Sequence, residues 1–251
     1  YTHAIINLLQ DGHAGNAVSE SLSLFLHQKI FMSELFQQDI STCVRQTFAK
    51  ADEEILLGFL DEIDPLSIVP RSLKSMSPWK NLESPGSTAC CVLLQECQPM
   101  PKYHVFWCGD TRAVLCRDGA AIQLTNDHRV TNKKEQIRIA SVDGHDISTG
   151  RLDGSLMVTR AFGDMRHKLD CVNKLAPETM KKVISMLSTP SMKTIKKKCV
   201  HTDVQVKEAA VEDALICTPE IVQGYVRNTD EFILIGSDGL FDVLSNQQAV
   251  N

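Results

Sequence analysis

The chain has 251 residues, enough for one large domain with a substantial core. Its apolar (43%), aromatic (6%) and charged (23%) contents are ordinary for a globular protein, and a formal charge of −5 gives no general attraction to nucleic acid or anionic membrane. No apolar stretch approaches the ~20 residues that span a bilayer and nothing resembles a signal peptide, so neither nucleic acid nor a membrane is expected as a partner.

In chain order, the run HAIINLLQ predicts a first strand, followed at once by Asp11-Gly12-His13. Residues Ala14 to Gln38 have helical spacing, with Val18, Leu22, Phe25 and Leu26 on one face and Leu35 and Phe36 extending it. A second helix is predicted from Ser41 to Phe59, turning Val44, Phe48, Ile55, Leu56 and Phe59 inward. The stretch from Asp64 to Pro85 is rich in proline and serine and reads as an exposed loop. The period then changes. Ser87–Leu94, Tyr103–Trp107, Ala113–Cys116 and Ala121–Leu124 are short apolar or β-branched runs parted by turn signals such as Gly109-Asp110 and Asp118-Gly119. A helix is predicted over Thr131–Val142 and a strand over Leu156–Thr159. Residues 165–214 lack sustained periodicity beyond a short helix at Lys174–Leu187 and read as a flap-like insertion. Their lysines, Lys193 and Lys196 to Lys198, read as a solvated surface. Finally, Phe232 to Ile235 predicts a buried strand, Asp238-Gly239 stands just past its end, and Ser245 with Gln248 forms a capping-box pair. Strands clustered between and after helices indicate an α+β protein rather than an alternating one.

The nine cysteines are odd in number and contain no CxxC pair. Cys90 and Cys91 sit inside an apolar run. Reduced thiols in a cytoplasmic and/or nuclear protein are therefore expected, and a zinc site is not.

Asp-Gly occurs five times, at Asp11, Asp118, Asp143, Asp153 and Asp238, and by itself is only a turn signal. Asp11 and Asp238 alone follow an apolar strand and precede a helix, which lifts a carboxylate to the rim of a sheet within reach of water. Mg²⁺ and Mn²⁺ are hard ions that take oxygen ligands, and a glycine beside the aspartate lets its carbonyl approach a metal unhindered. On this context each aspartate is open between metal ligand and turn residue.

Five blocks in order resemble the metal-dependent serine/threonine protein phosphatases of the protein phosphatase 2C type: DGHAG at 11–15, GSTACCVLL at 86–94, CGDTRAVLCRDG at 108–119 with LTNDHR at 124–129, GSLMVTRAFGD at 154–164, and SDGLFDVLSNQQAV at 237–250. The resemblance implies a four-layer α-β-β-α fold, two antiparallel sheets packed as a central sandwich flanked by helices. It implies two core Mg²⁺ or Mn²⁺ ions and a third, weaker one, with phosphorylated proteins as substrates and a monomeric enzyme. By position, Asp11 would bridge the core ions, Gly12 would offer its carbonyl, Asp238 would ligate the second ion, and Asp127 with Asp238 would hold the third. His13 would be the general acid that protonates the leaving serine or threonine oxygen, while a hydroxide bridging the metals attacks phosphorus without a phosphoenzyme.

Each assignment has a plainer alternative. Asp127 could cap the following helix, and His13 could stabilise only its own turn. Strand-end turns account for Asp110 and Asp164. Arg112 and Arg160 are expected to brace those turns through ion pairs, Ser87 and Thr88 to be strand residues, and Asp143–His145 to have no role. Ala14 in DGHAG is read as harmless. The family's upstream arginine and acidic pair, and its final Asp-Asn strand, have no counterpart between Tyr1 and Asn251. The chain is accordingly read as a single phosphatase-like domain over 1–251, truncated at both ends. The rival expectation is a catalytically silent relative that uses the fold as a scaffold or binding module.

Overall fold

The structure, a computed structural model, describes residues 4–61, 85–142, 144–168 and 213–251. The loop expected before Pro85, the helix expected at Lys174–Leu187, the lysine run and Asp143 lie outside the described residues.

Two helices come early. After strand β1 (Ala4–Leu9) and the short strand β2 (Gly12–His13), α1 runs over Ala17–Met32 and α2 over Ile40–Asp61. The helix expected to reach Gln38 stops at Met32. Ser33 there takes an extended conformation, and a turn seats Phe36 in the core instead. Val18, Leu22, Leu26 and Ile30, spaced by four, make the buried stripe of α1.

The remaining chain is mainly antiparallel. It contains β3 (Gly86–Ser87), β4 (Ala89–Gln95), β5 (Lys102–Cys108), β6 (Arg112–Arg117), β7 (Ala120–Gln123), β8 (Phe162–Gly163), β9 (Glu220–Tyr225) and β10 (Asp230–Gly236). Helix α3 spans Lys133–Ala140, and the short helices α4 (Asp238–Phe241) and α5 (Asn246–Val250) follow β10. One sheet has the order β1-β4-β5-β9, a second β10-β6-β7, and a third, small one β2-β3-β8.

The first sheet is covered on both faces, which is why its central strands are apolar throughout rather than alternating. Ala89, Cys91, Leu93, Phe106 and Cys108 face α1 and α2, where Phe48 packs edge-on against Phe106 with ring centroids 6.0 Å apart. Cys90, Val92, Tyr103, Val105 and Trp107 face the other way, onto Ala113, Ile233 and Ile235 of the second sheet. Beyond that sheet, Gln247 of α5 accepts from the Ala121 amide of β7 and donates to the Gly119 carbonyl. The fold is thus the expected α+β sandwich with helices outside. Free thiols are found at all seven described cysteines, including the buried pair Cys90 and Cys91.

The strand expected over Leu156–Thr159 is not formed. Asp153, at φ 51°, turns the chain so tightly that Leu156 bridges back to Leu152, and Val158 makes only an isolated bridge with Arg129. Apolar content there reflects a small separate core of Val130, Ile139, Leu152, Val158, Ala161, Ala214 and Leu215 beneath α3, not a ladder.

Candidate metal centre

The small sheet assembles the site. Gly12 pairs with Ser87, and Ser87 with Phe162, so three of the motif blocks meet in one ribbon. Asp11, just before this ribbon, is pinned by its backbone: its carbonyl accepts from the Thr88 amide (3.0 Å) and the Ser87 hydroxyl (3.3 Å), and its amide donates to Thr88 Oγ1 (3.3 Å). Ser87 is a strand residue, as expected, whereas Thr88 falls in the break between β3 and β4; both have the added task of fixing Asp11. A Cβ at position 12 would meet Ser19 Oγ at 2.6 Å and the Gly15 carbonyl at 3.1 Å, so a side chain there would have to displace Ser19. Ala14 has φ 54°, a left-handed conformation that costs a non-glycine residue about 1–2 kcal/mol. The reading of Ala14 as harmless is to that extent corrected.

Asp238 arrives from the far end of the chain. Strand β10 ends at Gly236 and Ser237 opens α4, so Asp238 stands in the first helical turn with its side chain half-exposed. It meets Asp11. Burial, then the charge of Asp238 and a hydrogen bond with it, and then the charge of Asp110, raise the Asp11 carboxyl above its ordinary range.

His13 points to Asp164, with Nε2 2.7 Å from Oδ2; the imidazole is 30% exposed and the carboxylate 3%. Burial disfavours the imidazolium, but the hydrogen bond and charge of Asp164, backed by Asp110 and Asp11, outweigh it and lift His13 above its usual 6.5. Asp164 sits at φ 51°, its amide donating to the Pro85 carbonyl (2.9 Å). Between the two runs Gly86, where a Cβ would fall onto both the Asp164 carboxylate and the His13 ring.

Asp127 lies apart from the Asp11–Asp238 contact. Its carboxylate takes both arms of Arg112, from Nε at 3.1 Å and from Nη2 at 2.6 Å. Arg112 also donates to Asn246 Oδ1 (2.8 Å) and lies over the Phe241 ring. Asp127 does not cap α3, since Asn132 accepts from the Lys134 amide there. Arg160 does form an ion pair, but with Glu135 of α3 at 2.6 Å and not at the Asp110 or Asp164 turn it was expected to brace. The second Asp-Gly-His is served by its own contacts, His145 bonding Asp153 at 2.9 Å.

Three side chains had no role in the sequence reading. Asp164, taken as a turn residue, is the partner of His13. Asp110, also taken as a turn residue, is buried beneath the carboxylates, where burial raises its proton affinity against the opposing pull of Arg129. Arg129 itself, quoted within NDHR, bonds Asp110 at 2.8 Å and Asp242 at 3.1 Å and lies 3.5 Å from Asp238. The one available signal was its position two residues after Asp127, among the aspartates of five converging blocks.

A carboxylate whose proton affinity is raised by burial and by a neighbouring carboxylate, as Asp11's is beside Asp238, is what a hard divalent cation relieves, so Asp11, Gly12 and Asp238 suit such an ion chemically. Among the described residues no three His, Cys, Asp or Glu side chains surround one point.

The family model for protein phosphatase 2C matches residues 5–251. The probable protein phosphatase 2C 42 of Oryza sativa subsp. japonica is 28% identical over 258 aligned residues, covering 96% of this chain and 62% of its own length. Protein phosphatase 1B of Rattus norvegicus is 27% identical, covering 95% of this chain and 50% of its own. A serine-threonine phosphatase 2C from Toxoplasma gondii superposes with a TM-score of 0.61 at 16% identity, over 98% of this chain and 72% of that one. A C. elegans sex determining protein gives 0.61 at 20% identity, over 98% and 46%. The chain thus spans less than two thirds of these curated relatives. With the model matched almost end to end and the same fold in the solved structures, this chain belongs to the protein phosphatase 2C family.

Proposed function

We propose that the full-length protein hydrolyses phosphoserine and phosphothreonine in proteins at a Mg²⁺ or Mn²⁺ centre built on Asp11 and Asp238. The observation that carries this reading is the meeting of those two carboxylates, 227 positions apart by their numbers, next to His13 on the rim of the sandwich. Membership of the family supports it.

Asp11 and Asp238 hold the ions, and the Gly12 carbonyl is bare enough to join them. Bound divalent cations supply Lewis acidity, activating a water for in-line attack and offsetting the phosphate charge. Hydrolysis would exchange the ester P–O bond for one to water, with no phosphoenzyme between, and Asp11 and Asp238 would hold the ions that assist it. The leaving oxygen needs a proton, and His13 is suited to give it: Asp164 raises its proton affinity and holds the ring. Asp127 joins a further ion only if its pairing with Arg112 opens. Phosphoproteins are the substrate class. A monomer is the proposed state, and no helix among the described residues is long and apolar enough to cross a membrane.

The test is phosphate release from a phosphothreonine peptide by the full-length protein, with and without Mn²⁺, beside Asp238→Asn. Release that requires manganese and falls about 100-fold or more in the variant is the expected outcome. Folded protein that releases nothing at any metal concentration overturns the reading in favour of a scaffold. Release from small phosphate esters but not from the peptide would replace the substrate class.

A further inference from the structure

Four carboxylates stand on the α4 side of the candidate centre, those of Asp110, Asp127, Asp238 and Asp242, and two arginines are committed to them. Arg112 takes Asp127 alone, through both arms. Arg129 is placed differently. Its Nε donates to the buried Asp110 (2.8 Å), its Nη1 to Asp242 Oδ1 (3.1 Å), and its Nη2 lies 3.5 Å from both Asp242 Oδ2 and Asp238 Oδ2. One guanidinium thus spans three carboxylates that approach from two elements: Asp110 at the β5–β6 turn, and Asp238 and Asp242 one turn apart around α4. Asp238 is shared, since it also meets Asp11. A planar cation with five donors is suited to such a fork. A divalent ion approaching Asp238 and Asp242 from the solvent side would meet that charge at ion-pair distance.

We propose that Arg129 is an internal counter-cation of this centre, holding Asp238 and Asp242 together while no outer divalent ion is bound and competing with that ion for Asp238. The inference rests on the metal-centre reading given above. It makes Arg129 a positioning residue that sets how tightly the outermost, weakest ion is held. The Asp11 side is much less affected, because the guanidinium makes no contact with Asp11. Loading the outer ion moves the guanidinium off Asp238 and leaves its bond to Asp110 as the anchor.

The experiment is Mn²⁺ binding to the full-length protein, counted by the loss of the free-ion electron paramagnetic resonance signal and by calorimetry, with no phosphatase assay involved. Wild type, Arg129→Gln and Arg129→Lys are compared, each checked for native circular dichroism. Removing one unit charge at ion-pair distance is expected to tighten the weakest Mn²⁺ site about tenfold in Arg129→Gln, leaving the tighter sites near wild type. Arg129→Lys, which keeps the charge without the fork, is expected to fall between the two. Equal or weaker binding of the weakest ion in folded Arg129→Gln overturns the inference and leaves the metal centre standing. No Mn²⁺ bound by wild type or variant overturns the metal centre itself. If Arg129→Gln does not fold, crystals of the wild type with and without Mn²⁺ decide: a guanidinium still 3.5 Å from Asp238 and bonded to Asp242 in the loaded protein overturns the inference.

Discussion

At the scale of single residues, the site depends as much on what is missing as on what is present. Gly86 leaves the room in which His13 and Asp164 meet, because a methyl there would overlap both groups. Gly86→Ala is therefore expected to cost about 1–3 kcal/mol of stability through overpacking and to lower kcat at least about tenfold by separating the pair. Mn²⁺ binding should change much less, since the groups that a methyl at Gly86 would overlap belong to Asp164 and His13 and not to Asp11 or Asp238. Parallel denaturation, kinetic and metal-binding measurements check this, and a fully active Gly86→Ala would show that the His13–Asp164 bond is dispensable. The strand-then-Asp-Gly pattern made Asp11 and Asp238 legible in the sequence. Asp164 was not, because a carboxylate after a strand looks the same whether it ends a turn or supports a histidine 151 positions away. Arg129 was hidden for a related reason: its partners come from the β5–β6 turn and α4, and spacing along one segment carries no information about the others.

Among the elements, the central strands were the easiest to read. In β4 and β5, both faces are buried, so their apolar runs needed only to be recognised as short and flanked by turns. Helix limits were less legible: α1 ends well before its apolar pattern does, because Phe36 packs through a turn instead of another helical turn. The segment at Leu156–Thr159 failed as a strand since no neighbouring strand offers it a ladder. What holds that region is α3, through Glu135. This carboxylate is 1% exposed and accepts from Arg160, Arg138 and Thr159. Burial alone would raise its pKa, but the two arginines prevail and lower it to about 2. Arg138 and Arg160 in turn bind the carbonyls of Asp213, Ala214 and Thr218, tying down the chain where it returns to the sandwich. The carboxylate is charged in the folded state below the pH at which it protonates in the unfolded chain, so its stabilisation is complete above about 4.5 and fades between about 4.5 and 2. Glu135→Gln should cost about 3–5 kcal/mol at neutral pH, leaving two arginines without their counter-charge. It should also flatten the fall in stability between pH 5 and pH 2 by about 1.4 kcal/mol per pH unit at most. Thermal melts across that range test both, and identical acid limbs would remove Glu135 from the account.

For the molecule as a whole, stability is centred on the first sheet, which touches both other layers. Phe106 is fully buried between β5 and α2, against Phe48. Phe106→Ala should cost about 3–5 kcal/mol, a large part of the stability of a domain this size. If helices and sheets form one cooperative unit, far-ultraviolet and tryptophan signals should report the loss at one shared midpoint, Trp107 lying on the opposite face of the same strand. Two separate midpoints would show that the helical layer unfolds by itself.

The ribbon of β2, β3 and β8 has a further consequence in time rather than in space. Its three strands are supplied by residues 12–13, 86–87 and 162–163, and Asp238 comes later still. During synthesis the early helices and β4–β5 hairpin can form from neighbouring sequence, whereas the meeting of Asp11 with Asp238 waits for β10 to leave the ribosome. Contacts this distant along the chain close late and slowly. A nascent or partly folded copy therefore carries Asp11 and His13 without Asp238 and Asp164 until both later segments have been made and packed into place.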